Sequence, residues 1–289
     1  MITLLIGASG QLGTELRQTF GDHDLVPLTH ADLELTDRAQ VTAVLRKYRP
    51  SLILNAAAYH RVDECEEFPE RAFAANALAV RDLAVAANAI GAVLVHFSTD
   101  YVFDGRQRRP YLETDPPGPL SVYATSKLAG EYFIRATLEQ HFVIRTCGLY
   151  GLAGSHSKAG NFVETMLRLA REGRDIRVVV DQVLTPTSAK ELARKVRQLV
   201  ETRAYGLYHI TNNGTCSWYQ FAAAIFELSG IRPSLSETTS AAYGARAVRP
   251  SYSVLENASL GRLGLDDLSP WQEALKAYLE DRPAAKGLS

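Results

Sequence analysis

The chain has 289 residues, 46% of them apolar and 22% charged, with a formal net charge of −1 and three cysteines. This is the balance of a globular enzyme with a sizeable core, and nothing in the charge points to a nucleic-acid surface. Cys65, Cys147 and Cys216 are scattered without Cys-x-x-Cys spacing, and the histidines show no ligand spacing; both argue against a disulfide framework and against a catalytic metal, and for a reducing cytosol.

The first residues, Met-Ile-Thr-Leu-Leu-Ile, read as a buried strand, with no basic leader or cleavage site. Leu12, Leu16 and Phe20 then recur on one helical face. Residues 24–28 form a second strand, and Asp37 is placed to cap a helix carrying Val41, Val44 and Leu45. Residues 51–55 are a strand, 69–90 an alanine-rich helix, and 92–98 and 142–146 two further strands. No apolar run is expected to reach the ~20 residues of a membrane span. Near-continuous apolar strands separated by helices predict a Rossmann-type, doubly wound parallel α/β sheet covered on both faces.

Beyond residue 150 the texture changes. Residues 151–160 are a Gly/Ser/His-rich loop, 162–171 an amphipathic helix, 176–180 a β-branched strand and 188–200 a helix returning to the sheet. A short strand at 206–210, helices at 217–229 and 269–278, a loop over 233–250 and a frayed tail after Arg282 complete the chain. The expected division is a dinucleotide-binding domain over 1–150, with 176–204 returning to it, and a smaller discontinuous substrate-binding cap from 151–175 and 205–289.

Gly7, Gly10 and Gly13 follow a strand and open a helix, the setting of a dinucleotide fingerprint. Gly7 permits a tight turn, Gly10 lets backbone approach a pyrophosphate, and Gly13 allows close helix–strand packing. The helix N-terminus adds N–H donors and partial positive charge. The bland alternative is a structural turn without a ligand. The second strand ends Leu28-Thr29-His30, with no acid until Asp32. Without a carboxylate for the ribose 2′-hydroxyl, there is room for a 2′-phosphate held by His30 or a nearby Arg, so NADPH is the expected cofactor, with NADH usable.

Tyr123 and Lys127 stand at i and i+4, one turn apart on a helix. A neighbouring ammonium favours the phenolate and lowers a tyrosine pKa that is near 10 when free, and the same lysine could clamp the nicotinamide ribose. The preceding strand ends Ser98-Thr99-Asp100, which brings a hydroxyl within reach of a carbonyl held by Tyr123. Thr99 could instead be a cap, and Asp100 a turn-former beside Gly105. Arg106, Arg108 and Arg109 read as a solvated loop face rather than a diphosphate site; Trp218, Tyr219 and Phe221 read as core rather than a base-stacking platform. Arg246 and Arg249 are better phosphate candidates, because Arg matches phosphate oxygens in a bidentate fork.

Several runs together resemble the dTDP-4-dehydrorhamnose reductases, a branch of the extended short-chain dehydrogenases. They are Gly7-Ala-Ser-Gly-Gln-Leu-Gly13, Asn55-Ala-Ala-Ala58, Ser98-Thr-Asp-Tyr-Val-Phe-Asp-Gly105 and Tyr123-Ala-Thr-Ser-Lys-Leu-Ala-Gly-Glu131. Asp181-Gln182 with Pro186-Thr187, and Arg249-Pro250 with Ser253 and Leu255, extend the match over nearly the whole chain. The resemblance implies reduction of C4 of dTDP-4-dehydro-β-L-rhamnose by a reduced nicotinamide in the cytoplasm. By position, Tyr123 would donate the proton, Lys127 would tune it and clamp the ribose, and Thr99 would bond the C4 carbonyl, holding the sugar together with Asp100. Gly10, Gln11 and Leu12 would line the pyrophosphate, Glu34 and Leu35 the adenosine end, and Ala58, Tyr59 and His60 the nicotinamide side. A homodimer is compatible with the family. Some members dimerise around magnesium through a glutamate that matches Glu15, but Glu15 reads equally well as an exposed first-turn residue, and no metal is assigned. Where some members carry a tryptophan against the sugar, this chain has Gly148, which would widen the pocket and leaves a related dTDP- or UDP-4-keto-6-deoxy hexose as an alternative substrate. The non-catalytic β subunit of methionine adenosyltransferase is similar in fold and keeps the glycine loop and the Tyr/Lys pair, so a regulatory subunit is the alternative of a different class.

Overall fold

The computed structural model describes residues 2–22, 24–152 and 160–282. Five strands rich in β-branched and leucine side chains, β1 (Ile2–Ile6), β2 (Asp24–Leu28), β3 (Leu52–Asn55), β4 (Val93–Thr99) and β5 (His141–Thr146), join the strand Gly206–His209 in one six-stranded sheet. Its order is β2-β1-β3-β4-β5 followed by Gly206–His209, and every pairing is parallel. Successive side chains point to opposite faces, so Leu5, Leu54, Val95 and Ile144 face one helical layer and Leu4, Ile53, Leu94 and Val143 the other. On the first face Leu12 and Leu16 of α1 (Gln11–Thr19) pack with Leu192, Val196 and Leu199 of the helix Ala189–Thr202. On the second, Val41 and Leu45 of α2 (Arg38–Tyr48) meet Leu83 and Ala87 of the helix Ala79–Ile90. Each fully buried leucine or isoleucine contributes roughly 1.5–3 kcal/mol. Asp37 caps α2 as expected, its carboxylate accepting from the backbone N–H groups of Ala39 and Gln40.

Five features differ from the expectations. The strand Gly206–His209, assigned from sequence to the cap, is the edge of the main sheet, in register with Phe142–Arg145. Conversely Ile176–Val179, assigned to the dinucleotide half, pairs outside the sheet with Leu235–Thr238. That second strand and the short helix Ser240–Tyr243 lie inside the stretch read as loop. The strand is polar and partly exposed and the helix is only four residues long, so no apolar period announced them. Glu15 is buried, not exposed, on the face of α1 that packs against Ala189–Thr202, and burial raises its pKa. Lastly, Pro69–Ile90 is long and apolar enough by composition to match a membrane span, contrary to the sequence expectation. Its alanine face instead packs into the core, with Ala72, Val80, Leu83, Ala84 and Ala87 fully buried.

That helix is not uniform: residues Ala74–Leu78 form a π turn. Asn76, buried at its centre, bonds the Tyr59 backbone at both N–H and carbonyl (2.9 and 3.0 Å) and donates to the Ser126 hydroxyl. A separate apolar cluster from the second half of the chain is built from Val163, Met166, Phe221, Ile225, Trp271 and Leu275. Residues 153–159, most of the loop expected over 151–160, lie outside the described residues, as does the tail from 283.

Candidate active site

The glycine loop performs two of its expected tasks in visible geometry. Gly7 has φ +81°, and a Cβ there would stand 2.8 Å from the Ala57 amide nitrogen. A Cβ on Gly13 would fall 2.1 Å from the Gly7 carbonyl oxygen, so α1 can pack this closely only without a side chain. Gly10 is the N-cap of α1 and supplies no side-chain bond. The first N–H groups of a helix have no partner within it, and here they open on a cavity of about 1240 Å³.

The cavity lies at the carboxyl ends of the strands: at one end Thr29, His30, Glu34 and Leu35 line it after the edge strand β2, and Gly7, Gly10, Gln11, Leu12 and Gly13 after β1. Glu34 is held by Thr36 and stands 3.5 Å from the His30 ring. Ala58, Tyr59 and His60 form the middle. The other end holds Thr99, Asp100, Tyr123 and Lys127, with Gly148, Leu184 and Trp218 from the second half of the chain.

Tyr123 and Lys127 are placed by the helix Val122–Thr137, whose N-terminus Ser121 caps by accepting from the Ala124 N–H. The helix approaches the π turn so closely that a Cβ on Gly130 would lie 2.3 Å from the Asn76 carbonyl oxygen. Thr99 is a cap: its hydroxyl accepts from the Tyr101 N–H at 3.1 Å at the start of a short 3₁₀ turn, and it also bonds the Tyr123 phenol. Asp100 is buried; Oδ1 accepts from the Thr99 hydroxyl and Oδ2 from the Cys147 thiol at 3.0 Å. Burial raises its pKa, opposed by those hydrogen bonds and one from Ser253.

The electrostatics differ from the simple expectation. Lys127 turns its ammonium nitrogen to the Phe97 carbonyl (2.6 Å) and the His96 ring (3.3 Å) rather than to Tyr123. Burial brings its pKa down to about 8, opposed by Glu131 one turn on. Burial, then the Asp100 charge, pushes the Tyr123 phenol above its ordinary value, and the Thr99 hydrogen bond offsets this only in part. Burial leads and the lysine, turned away, is not among the groups that shift the phenol, so Tyr123 is a protonated phenol at neutral pH.

Of the arginine candidates, Arg249 lines the cavity, held by Asp63 at 2.7 Å. Arg246 does not line it and pairs with Glu67 on the surface. Arg109 grips Asp115 through two bonds and Arg106 stands 3.8 Å from Asp104, as expected of a solvated loop face. Trp218 lines the cavity, whereas Phe221 is core and Tyr219 packs beside it. At Gly148, φ is +52° and a Cβ would meet the Leu184 side chain at 2.7 Å. The space is therefore taken by Leu184, and the absent aromatic leaves less extra room than the sequence suggested. Cys147, Ser253, Leu184 and Arg71 also line the cavity and were missed from sequence. Leu184 lies far along the chain from the glycine loop and carries no motif of its own, and Ser253 was named only within the run after Arg249-Pro250, with no place in the site. The Ser98-Thr99-Asp100 run was the available pointer to Cys147, because β4 and β5 pair Thr99 with Thr146.

The RmlD substrate binding domain family matches residues 1–283. The chain is 40% identical over 284 residues to the spore coat polysaccharide biosynthesis protein SpsK of Bacillus subtilis, with 98% of each chain covered. It is 39% identical over 281 residues to a dTDP-4-dehydrorhamnose reductase of Streptomyces griseus, covering 94% of this chain and 91% of that one. Among solved structures it is similar to a dTDP-4-dehydrorhamnose reductase from Bacillus anthracis in complex with NADP, at TM-score 0.93 and 36% identity, over 97% and 99% of the two chains. A Thermus thermophilus UDP-glucose 4-epimerase complexed with NAD, at TM-score 0.84 and 20% identity, shares the fold.

Proposed function

The chain belongs to the dTDP-4-dehydrorhamnose reductase family of oxidoreductases, and from that premise we propose that it reduces the C4 ketone of dTDP-4-dehydro-β-L-rhamnose with NADPH, NADH being usable. The observation that carries the reading is the convergence of the Thr99 and Tyr123 hydroxyls beside Lys127 in a cavity that the glycine loop also lines. The residues fit a dinucleotide: an uncapped helix N-terminus behind Gly10 for the pyrophosphate, and room along Glu34 and Leu35 for the adenosine. NADP bound to the Bacillus anthracis relative supports the choice of cofactor.

A bound reduced nicotinamide would supply the hydride to C4. Thr99 orients the carbonyl, and Tyr123 gives its phenolic proton to the alkoxide oxygen. A phenol raised above its ordinary pKa is held in the form that donates, and an alkoxide is basic enough to take the proton from it. Lys127, in its cationic form, stabilises the phenolate left behind and clamps the ribose. Asp100 and Arg249 hold the sugar nucleotide. The division of labour proposed is a dinucleotide half built on the parallel sheet and a cap that closes on the substrate. Gly148 and the Leu184 side chain beside it favour a second reading, in which the substrate is another nucleotide-linked 4-keto-6-deoxy sugar.

The test is loss of reduced-nicotinamide absorbance when the protein meets NADPH and enzymatically generated dTDP-4-dehydrorhamnose. Tyr123→Phe should slow turnover 10²–10⁴-fold, the usual worth of general acid help, with cofactor binding nearly intact. Near-normal reduction by that variant removes Tyr123 from the mechanism. No oxidation of NADPH with any member of a panel of 4-keto sugars removes the reductase reading itself.

A further inference from the structure

Behind Lys127 runs a chain of buried polar groups that the reaction as described does not use. Asn55 and His96 are register partners on the neighbouring parallel strands β3 and β4, and both are fully buried. The Asn55 amide nitrogen stands 3.1 Å from His96 Nδ1, and His96 Nε2 stands 3.3 Å from Lys127 Nζ.

The direction of these bonds is set by the backbone. Asn55 Oδ1 accepts from the Ala57 N–H, so the other arm of the amide is its NH₂, and it must donate to His96 Nδ1. A neutral imidazole that accepts at Nδ1 carries its hydrogen on Nε2. That hydrogen is aimed at Lys127, where a neutral amine has a lone pair to receive it and an ammonium does not. The amine can still donate to the Phe97 carbonyl. We propose that His96 is a positioning residue whose Nε2–H, oriented by the Asn55 amide, stabilises the neutral amine of Lys127 and so sets the pH at which Lys127 exchanges its proton.

The surroundings agree. Burial and the neighbouring lysine hold His96 well below its ordinary pKa, so the ring is neutral. The other groups around Lys127 are Tyr123 and Glu131 on its own helix; Glu131 is engaged by Ser98 of β4 and Arg145 of β5. Asp100 and Cys65 act on Tyr123. Glu131 and the Phe97 carbonyl favour the ammonium, against burial and the His96 hydrogen. The inference rests on the reading of Lys127 as part of the reductase site for its meaning, but not for its test.

The test is ¹⁵N NMR of the intact protein with labelled histidine, which reads the tautomer of His96 at neutral pH, together with the titration of the Lys127 side chain. The expected result is hydrogen on Nε2, a bare Nδ1, and a Lys127 midpoint near 8 that rises by about one unit in His96→Phe, the worth of one hydrogen bond. In kinetics, the alkaline limb of kcat/KM should move up with it, which a merely structural role would not produce. Hydrogen on Nδ1, or a Lys127 midpoint unchanged in a folded His96→Phe, overturns the proposal. Should that variant fail to fold, the tautomer of the native protein decides alone. Absence of reductase activity would leave both NMR results in force, so the two readings fail separately.

Discussion

Glu131→Ala isolates the buried ion pair beneath the site. Arg145 is 2% exposed and Glu131 fully buried; Nε and Nη2 of the guanidinium reach the carboxylate at 2.7–3.2 Å. Arg145 Nη1 already lacks a hydrogen-bond partner, and the Phe103 ring, 5.1 Å from the guanidinium, is the nearest other source of stabilisation. Removing the carboxylate strands a full charge in the core, which costs roughly 3–5 kcal/mol. At about 2–4 °C per kcal/mol for a chain near this size, the melting temperature should fall by roughly 6–20 °C in a calorimetric or circular-dichroism melt. Replacing both partners, as Glu131→Leu with Arg145→Met, should cost less than the single change, because no unpaired charge remains. The single variant should also shift Lys127 further towards the amine, since Glu131 is the group opposing its desolvation. A melting temperature for Glu131→Ala within about 3 °C of the parent would refute the argument.

Further outcomes can be checked. Gly13→Ala drives a methyl to 2.1 Å from the Gly7 carbonyl, so it should abolish dinucleotide binding in a fluorescence titration and lower stability. Because the folded pKa of Lys127 is about 8 against an ordinary 10.5, its ammonium is lost as pH rises through about 8, and kcat/KM should decline above that point. For the same group the unfolded chain binds the extra proton between those values, so its contribution to stability should rise with pH from about 8 to 10.5 in denaturant melts. Gly148→Ala meets Leu184 at 2.7 Å with φ at +52°, and it should lose about 1–3 kcal/mol. Leu184→Ala should restore part of that, and thermal melts of the single and double variants measure the coupling.

The parallel sheet was legible because its strands are apolar on both faces, a pattern that needs no knowledge of the partners. The polar strand Leu235–Thr238 was not, since its exposed residues carry no period. Gly206–His209 looked like one more piece of the cap because nothing in four residues says which sheet accepts them; the register with β5 is a tertiary fact. In the site, Gly7, Gly13, Thr99, Tyr123 and Lys127 announced themselves by local spacing, and all five line the cavity. Arg246 was misplaced because charge and loop position are all a sequence offers, whereas Glu67, which claims it, comes from a distant helix. The direction of the Lys127 ammonium was equally hidden, being decided by the carbonyl of Phe97 and by His96 on a neighbouring strand.

The wide turn at Ala74–Leu78 separates two demands made on one helix. A π turn holds one residue more than an α turn, so deleting one residue there would return the helix to regular pitch with both flanks keeping their faces. Val80, Leu83 and Ala87 would stay against the sheet, and the loss would fall on Asn76 and its bonds to the Tyr59 backbone. The regular turns after Ala79 have no such slack: each residue turns the helix by about 100°, and a deletion among them would swing those side chains off the sheet.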